Sequence, residues 1–555
     1  MHIRNLLYHF LFFFYFSAVY QALCFTFNVS GFVGLRESFF LSFLWFIPLL
    51  LLPSYHKIIT GVIGLLLWST SLASLGYFMM YGQEFSQSVL FIIFESNMKE
   101  SSEFLHTYFA WWMVPALLFY TSMSLFLWKK LEPIKLKMAY KPFAIVFALL
   151  LVTKTFTSLY FIDNKGFEKA YDKQLSRMQA AAPWNLIVGY QKYTLQLQQM
   201  QSLLKNNQNL PKLTHFTTQY NQPNTMVLVI GESTNRNRMS LYGYKRETSP
   251  HLKKMKDELL VFDNVFSPRP YTIEVLQQAL TFADEKNPDW YLDKPNLMNI
   301  MKQAGYETYW ITNQQTQTKR NTMLTTFSQM ADHQVYLNNN RRQNSSSYDE
   351  VVFEPFKEVL SHNEIKKKFI VVHLLGAHSR YDYRYPETFS QFNNEPVQRV
   401  LDAKQQAYYN YYDNAILYND YVVSTLINEV KKQKRASSLL YFSDHGEEVY
   451  DDMSKIKMGR NEADPTLAMY TVPFIVYGNA SWKAMHSYEH MNIYTHRLYS
   501  SSNLLYSYCD LAGIRFDGFE QKKSIFNTAY ETQPVFIGDP MKKATLRDLR
   551  EKPLG

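Results

Sequence analysis

The sequence predicts a two-part protein: a bundle of five membrane-spanning helices, then an α/β/α sandwich built on a largely parallel sheet. Three observations carry that expectation. Five apolar segments fill the first third of the chain, and most approach the roughly 20 residues that cross about 30 Å of hydrocarbon. From Thr225 onward short apolar runs alternate with longer helical stretches, the pattern of βαβ units. Several of those runs end in a glycine beside an acid or a histidine, at the strand ends where open α/β sheets bind ligands.

The apolar segments are 6–27, 39–52, 58–81, 104–128 and 143–162. Aromatic residues make up 16% of the 555 residues, yet the mean hydropathy is only −0.25. Apolar character is therefore concentrated, and it is concentrated at the N-terminus. The first segment is too long and too aromatic for a cleaved signal peptide and has no clear small-residue cleavage site, so it reads as a retained helix. Lys129, Lys130, Lys135, Lys137 and Lys141 place the fourth loop in the cytoplasm, as His2 and Arg4 do the N-terminus. Glu84, Glu95, Glu100 and Glu103 against a single Lys99 suit an outer third loop. Five crossings then put everything after Ile162 outside.

The net charge of +9 comes without any clustered base-reading motif, and much of the excess flanks apolar segments. Anionic lipid surfaces fit it better than nucleic acid. The two cysteines, Cys24 and Cys509, lie far apart, one in an apolar segment, so neither a disulfide nor a four-cysteine zinc site is expected.

Residues 163–224 form a connector. Its stretch from Pro183 reads as an amphipathic helix with Trp184 as an interfacial anchor, lying either on the bilayer or against the soluble domain. The external domain spans 225–540 and a basic tail 541–555. Within the domain, 296–304 is a helix leading to a strand at 308–312, and 338–347 is polar and low in complexity. Further strands fall at 369–374, 437–442 and 472–477, with helices at 406–434 and 502–512.

Four stretches carry chemistry. The apolar run 226–230 leads to Gly231, read as a sharp exit, and puts Glu232 at a strand's carboxyl end. The run from Ser438 ends in Ser443-Asp444-His445-Gly446-Glu447-Glu448, whose carboxylate and imidazole, with Glu232, suit a cation such as zinc. A proline-rich loop, 267–271, enters a helix near Thr272, which is either an N-cap or a nucleophile at the helix's positive end. His373-Leu374-Leu375-Gly376-Ala377-His378 closes another strand with two histidines that suit metal, phosphate or a structural role.

Together these stretches resemble the bacterial phosphoethanolamine transferases, membrane-anchored members of the alkaline phosphatase/sulfatase superfamily, and most of all the branch that decorates the lipopolysaccharide core. The resemblance covers the whole chain, with GEST, SLYGY.RETSP, SPRPYT, H..GAH and SDHGEE in order. It implies a Zn2+ site of Glu232, Thr272, Asp444 and His445, with Thr272 the nucleophile. It implies a phosphatidylethanolamine donor, a phosphothreonine intermediate, and an envelope glycolipid acceptor such as lipopolysaccharide core or lipid A. It further implies a multi-pass inner-membrane monomer with a periplasmic catalytic domain. His378, Ser96, Glu100, Asn313 and Lys319 are its implied substrate contacts.

Three departures from the family stand out. Only two cysteines are present, so the family's disulfides are missing. No histidine occurs between Val449 and Trp482, where a second substrate-site histidine is usual, and a family lysine near Asn313 is matched only loosely by Lys319. Among rival readings, a lipoteichoic-acid-type polyglycerolphosphate synthase shares the architecture, but the SLYGY run argues against it. A sulfatase lacks its C-x-P-x-R nucleophile here, since neither Cys24 nor Cys509 sits in that context. A non-catalytic scaffold leaves the intact set of four site residues unexplained.

Overall fold

The computed structural model describes the chain except for residues 1, 28–31, 82–84, 86–108, 135, 207–211, 315–322, 339–347, 363–365, 394–396, 398, 455, 463, 487, 541–545 and 552–555. Ser96, Glu100 and Lys319 therefore lie outside the described residues, as do most of the third loop and of 338–347. Among the described residues two compact units meet in sequence between Gln196 and Leu197.

All five apolar segments contribute helix to the first unit. They are α1 (His2–Thr26), α2 (Val33–Leu41, continued by a 3-10 turn and Phe46–Leu51), α3 (His56–Tyr81), α4 (Met113–Lys129) and α5 (Lys141–Val152). Three helical stretches have the length and hydropathy of a membrane span, Ile3–Thr26, Val33–Leu51 and Pro53–Met80. Met113–Lys129 is a shorter apolar helix, and Met138–Val152 forms with Lys154–Ile162 a pair bent by 72°. The described helices thus supply three spans, or four if the bent pair is one, where the sequence suggested five. The bend falls at Thr153, whose hydroxyl donates back to the Leu149 carbonyl (2.8 Å), a bond that bends helices. Helices α6 (Phe167–Met178) and α7 (Trp184–Asn206) follow. The expected anchor Trp184 stacks on Trp45, and Asn185 donates to the Ser74 hydroxyl (2.5 Å), so the start of α7 is fixed to the apolar helices.

The second unit is an α/β/α sandwich. Its elements are β1 (Asn224–Gly231), β2 (Leu259–Phe262), α8 (Thr272–Ala279), α9 (Leu297–Gln303), β3 (Tyr306–Thr312), β4 (His333–Tyr336), α10 (Phe353–Ser361), β5 (Lys367–His373), α11 (Ala403–Lys431), β6 (Ala436–Ser443), β7 (Phe474–Gly478) and α12 (Leu504–Leu511). The sheet order is β2-β7-β6-β1-β5-β3-β4. Only β7 runs against its neighbours, pairing antiparallel with β2 and β6, so the sheet is mixed.

Strand β1 is buried on both faces, which its unbroken apolar run anticipates. Period-two alternation splits it between two cores. Met226, Leu228 and Ile230 pack with α8, α9 and α12, while Val227 and Val229 pack with α10 and α11. Truncating Leu228 to Ala costs about 2–5 kcal/mol, because neither layer can collapse into the space.

Candidate active site and metal centre

Parallel pairing sets the site. β1 lies between β5 and β6, with Gly231 opposite Ser443 and Ile230 opposite His373. Glu232, Asp444 and the His373–His378 turn therefore leave adjacent strands at one level. Two backbone bonds keep the ends together, Asp444 N–H to Gly231 O (3.1 Å) and Leu374 N–H to Ile230 O (2.9 Å).

The exit from β1 is made differently from the sequence reading. Gly231 is still strand, and its missing side chain accommodates the Tyr441 ring, which would lie 2.9 Å from a Cβ there. The left-handed turn falls on Ser233, φ 56°, a conformation that costs a non-glycine residue about 1 kcal/mol or more. Its surroundings hold it there. Ser233 N–H donates to Asp444 Oδ1 (3.2 Å), its hydroxyl to Glu232 Oε1 (2.8 Å), and its carbonyl accepts from the Tyr412 hydroxyl (2.6 Å).

Thr272 is not a cap. Tyr271 is the N-cap residue of α8 and Thr272 the first helical residue. Its hydroxyl donates instead to Glu232 Oε2 at 3.0 Å and lies 3.4 Å from His445 Nε2. The loop before it is tied down by Arg269, which grips Glu462 with two bonds of 2.5 and 2.8 Å, and by Ser267 N–H to Tyr470 O (2.8 Å).

Glu232, Asp444 and His445 are buried and bring one ligand atom each to within 4.8 Å of one another. His445 Nε2 is 3.2 Å from Glu232 Oε1 and 3.4 Å from Asp444 Oδ2. With Thr272 Oγ1 these make four donors whose contacts run from 3.0 to 3.4 Å. Bonds of 2.0–2.1 Å in a tetrahedral site require ligand–ligand edges of about 3.3–3.4 Å, and these four contacts lie near that spacing, those to Glu232 falling on its two different oxygens. Asp444 Oδ2 is buried without a hydrogen-bond partner, which is costly unless a cation meets it. His445 Nδ1–H donates to the Gly446 carbonyl (2.8 Å), fixing the tautomer that leaves Nε2 as the unprotonated ring nitrogen.

The charges are uneven. Burial opposes ionisation of Glu232, but His445, then His378 and Arg460, outweigh it and hold its carboxyl well below the usual range. Burial and the neighbouring Glu232 push Asp444 well above its usual range. Burial lowers the His445 imidazole, with Arg460 adding to the effect. Burial brings Glu447 up to about 7 and takes His378 down to about 3, which leaves His378 neutral at physiological pH.

Sequence reasoning missed Arg460. A two-residue hairpin ladder pairs Glu448 with Gly459 and Val449 with Met458, folding the chain back so that Arg460 lies beside Glu447 (3.4 Å) and Glu232 (3.9 Å). The available signal was Gly459, φ 93°, immediately before an arginine in the stretch that lacks a histidine.

His378 and Asn313 are placed apart. Gly376 adopts φ 55°, and a Cβ there would meet the Glu232 carbonyl oxygen at 2.7 Å and nitrogen at 2.8 Å. This close approach carries His378 to the rim of the site. Asp349 clamps the turn, accepting from Leu375 and Gly376 N–H (each 2.8 Å) and from the Asn313 amide (2.9 Å). Asn313 is fully buried and supports that clamp from behind. His373 packs edge-on against Trp310 with a buried, unpartnered Nε2.

The SLYGY segment is a clasp on α11. Arg238 Nε (2.9 Å), Arg246 Nη1 (2.7 Å) and the Tyr244 hydroxyl (3.0 Å) all donate to the buried Asp413 carboxylate. The Arg238 guanidinium also lies 3.5 Å over the Tyr409 ring.

Comparison with known proteins bears on this geometry. Residues 224–514 match the Sulfatase family. Over 553 residues the chain is 48% identical to phosphoethanolamine transferase EptC of Escherichia coli K12, spanning 98% of this chain and 95% of the relative. It is 49% identical to phosphoethanolamine transferase CptA of Salmonella typhimurium over the same extents. The crystal structure of the C-terminal periplasmic domain of E. coli EptC in complex with Zn matches with a TM-score of 0.59 and 50% identity, covering 62% of this chain and 98% of that one. The integral membrane lipooligosaccharide phosphoethanolamine transferase A of Neisseria meningitidis matches with a TM-score of 0.64 over 93% of this chain and 97% of that one. At 20% identity the latter is a likeness of fold.

Proposed function

Because the chain belongs to the phosphoethanolamine transferases, enzymes of the lipopolysaccharide-modifying kind with a sulfatase-type C-terminal domain, we propose that it moves phosphoethanolamine from phosphatidylethanolamine to lipopolysaccharide core or lipid A through a phosphothreonine at Thr272. The supporting observation is the Thr272 hydroxyl, freed from capping and held 3.0 Å from Glu232 and 3.4 Å from His445.

Glu232, Thr272, Asp444 and His445 would hold Zn2+, which supplies Lewis acidity that makes a threonine hydroxyl nucleophilic near neutral pH. Glu232 Oε2 accepts the hydroxyl proton as Thr272 Oγ1 attacks phosphorus. The bond from phosphorus to the diacylglycerol oxygen breaks, and that oxygen takes up a proton from solvent in exchange for the one that Glu232 received from Thr272 and releases. The N-terminal end of α8 adds positive potential where phosphoryl charge develops. His378, at the rim, donates to phosphate oxygen, while Asn313 acts through Asp349 on the turn that carries it. In the second displacement an acceptor hydroxyl or phosphate oxygen attacks phosphorus and the Thr272 ester opens.

Residues 1–162 are proposed to anchor the chain in the inner membrane, the N-terminus cytoplasmic and the catalytic domain periplasmic. The apolar helices and the periplasmic domain named in the E. coli relative support this. Reporter fusions at Lys135 and at the C-terminus check it, with opposite sides expected.

The deciding experiment uses purified full-length protein and phosphatidylethanolamine labelled in its glycerol backbone. Diacylglycerol is released, and peptide mass spectrometry finds phosphoethanolamine on Thr272. Equal release by Thr272→Ala would remove the nucleophile assignment. Mass spectrometry of envelope glycolipids with and without the active enzyme identifies the acceptor.

A further inference from the structure

Helices α1, α3 and α4 pack against one another in the first unit and line an open-sided groove of about 330 Å3. Each helix contributes a stripe at helical spacing: Phe12 and Phe16 from α1, Gly61, Gly64 and Trp68 from α3, Thr121, Ser124 and Trp128 from α4. Thr60 to Trp68 spans about 12 Å at 1.5 Å per residue, most of the ~15 Å depth of one leaflet.

The lining offers a ligand only hydrocarbon. Trp68 Nε1 donates to Thr121 Oγ1 (3.1 Å), which donates in turn to the Leu117 carbonyl (2.8 Å). Ser124 donates to Thr121 O (2.8 Å). Trp128 Nε1 donates to Thr60 Oγ1 (3.2 Å), and Thr60 to His56 O (2.9 Å). Every hydroxyl and indole N–H along the groove is thus already engaged within the bundle. One end, by contrast, is strongly basic. Lys57 bonds the Trp128 carbonyl (3.0 Å) and sits 5.0 Å over its ring; Lys129 ends α4 and Lys130 caps it, its ammonium 5.5 Å over the Phe126 ring, and all three are exposed.

We propose that this groove binds an anionic glycerophospholipid of the bilayer, one acyl chain lying along the glycine side of α3 and the headgroup phosphate held by Lys57, Lys129 and Lys130. An apolar channel ending at Lys57, with the exposed Lys129 and Lys130 next in sequence to its Trp128, matches a molecule that joins a hydrocarbon chain to a negative head. On the topology proposed above that end faces the cytoplasm, so the occupant is a different lipid from the periplasmic donor. The binding itself does not depend on the transferase reading.

The glycines supply the test. A Cβ on Gly61 would have Trp128 as its nearest neighbour at 3.5 Å, an ordinary contact, whereas one on Gly64 would meet the Phe12 ring at 2.6 Å. Gly61→Leu therefore fills the groove without a backbone clash. Full-length protein is titrated in detergent with phosphatidylglycerol or phosphatidylethanolamine and read by native mass spectrometry, with folding monitored by circular dichroism. Wild type is expected to retain phosphatidylglycerol at least tenfold more strongly than phosphatidylethanolamine. Gly61→Leu should lower retention of both. Lys57→Gln, which leaves the groove intact, should lower phosphatidylglycerol retention about fivefold, as for one basic residue near a phosphate, and phosphatidylethanolamine retention less, because that lipid's own ammonium offsets its phosphate. Equal retention of the two lipids by wild type overturns the proposal. So does unchanged phosphatidylglycerol retention in folded Gly61→Leu, or retention in Lys57→Gln that matches wild type.

Discussion

Arg460 Nη1 lies 2.5 Å from His445 Nε2, and because His445 Nδ1–H is committed to the Gly446 carbonyl, the guanidinium donates to the lone pair that a metal would use. Arg460 and a bound cation therefore compete for one nitrogen and repel each other by charge. Arg460→Ala is expected to bind Zn2+ about tenfold more tightly, a difference of ~1.4 kcal/mol, as read by competition with a chelating dye. Unchanged or weaker binding would show that the two do not compete.

Asp444→Asn should separate metal binding from folding. The wild-type carboxylate lies in a buried site beside Glu232, which is why its proton is held so tightly. The amide keeps the shape and removes the like charge. Metal analysis is expected to find less than about a tenth of the wild-type zinc, while the metal-free variant melts no lower than metal-free wild type. A clearly lower melting temperature would mean that Asp444 is needed for the fold itself.

Gly376 and Gly518 both adopt left-handed backbone, but only Gly376 is crowded, since a Cβ at Gly518 meets nothing within 4 Å. Gly518→Ala should cost only the backbone penalty of about 1 kcal/mol. Gly376→Ala should cost about 2 kcal/mol or more and displace Glu232, so activity falls with stability. Urea denaturation of both variants beside a turnover assay checks the contrast, and equal costs would remove the packing argument.

Removing Asp413 leaves Arg238 and Arg246 without their shared buried counter-ion. Asp413→Ala should therefore destabilise the second unit by about 3–5 kcal/mol, measured by urea unfolding. A loss below 1 kcal/mol would mean the clasp contributes little.

Asp420 accepts the N–H groups of His251 and Leu252 (each 2.9 Å), yet burial raises its carboxyl to about 7. Between the unfolded value near 4 and about 7 the folded chain holds a proton that the unfolded chain has released. This group's contribution to stability therefore falls as pH rises through that window. Melting temperatures from pH 4 to 7 should show a decline that is shallower in Asp420→Asn. An identical slope in the variant would place the effect elsewhere.

The fold was legible to the extent that it depends on local pattern. The continuous apolar run of β1, the periodic helices and the low overall hydropathy with apolar N-terminal segments all follow from burial acting on neighbouring residues. That Glu232, Thr272, Asp444 and His445 stand at strand or helix ends was also legible, because their own flanking residues define those ends. What stayed hidden depends on long-range register. The reversed direction of β7 is fixed by partners more than 30 residues away in sequence, and nothing in its five residues encodes it.

The sequence by itself determined which residues stand at the ends of the strands and which segments are apolar enough to leave water. Only the tertiary structure decided that Ser233 rather than Gly231 makes the turn, that Asn313 is buried against Asp349, and that Arg460 reaches His445. Those outcomes turn on contacts across the sheet and the hairpin, where a shift of one residue would point each side chain elsewhere.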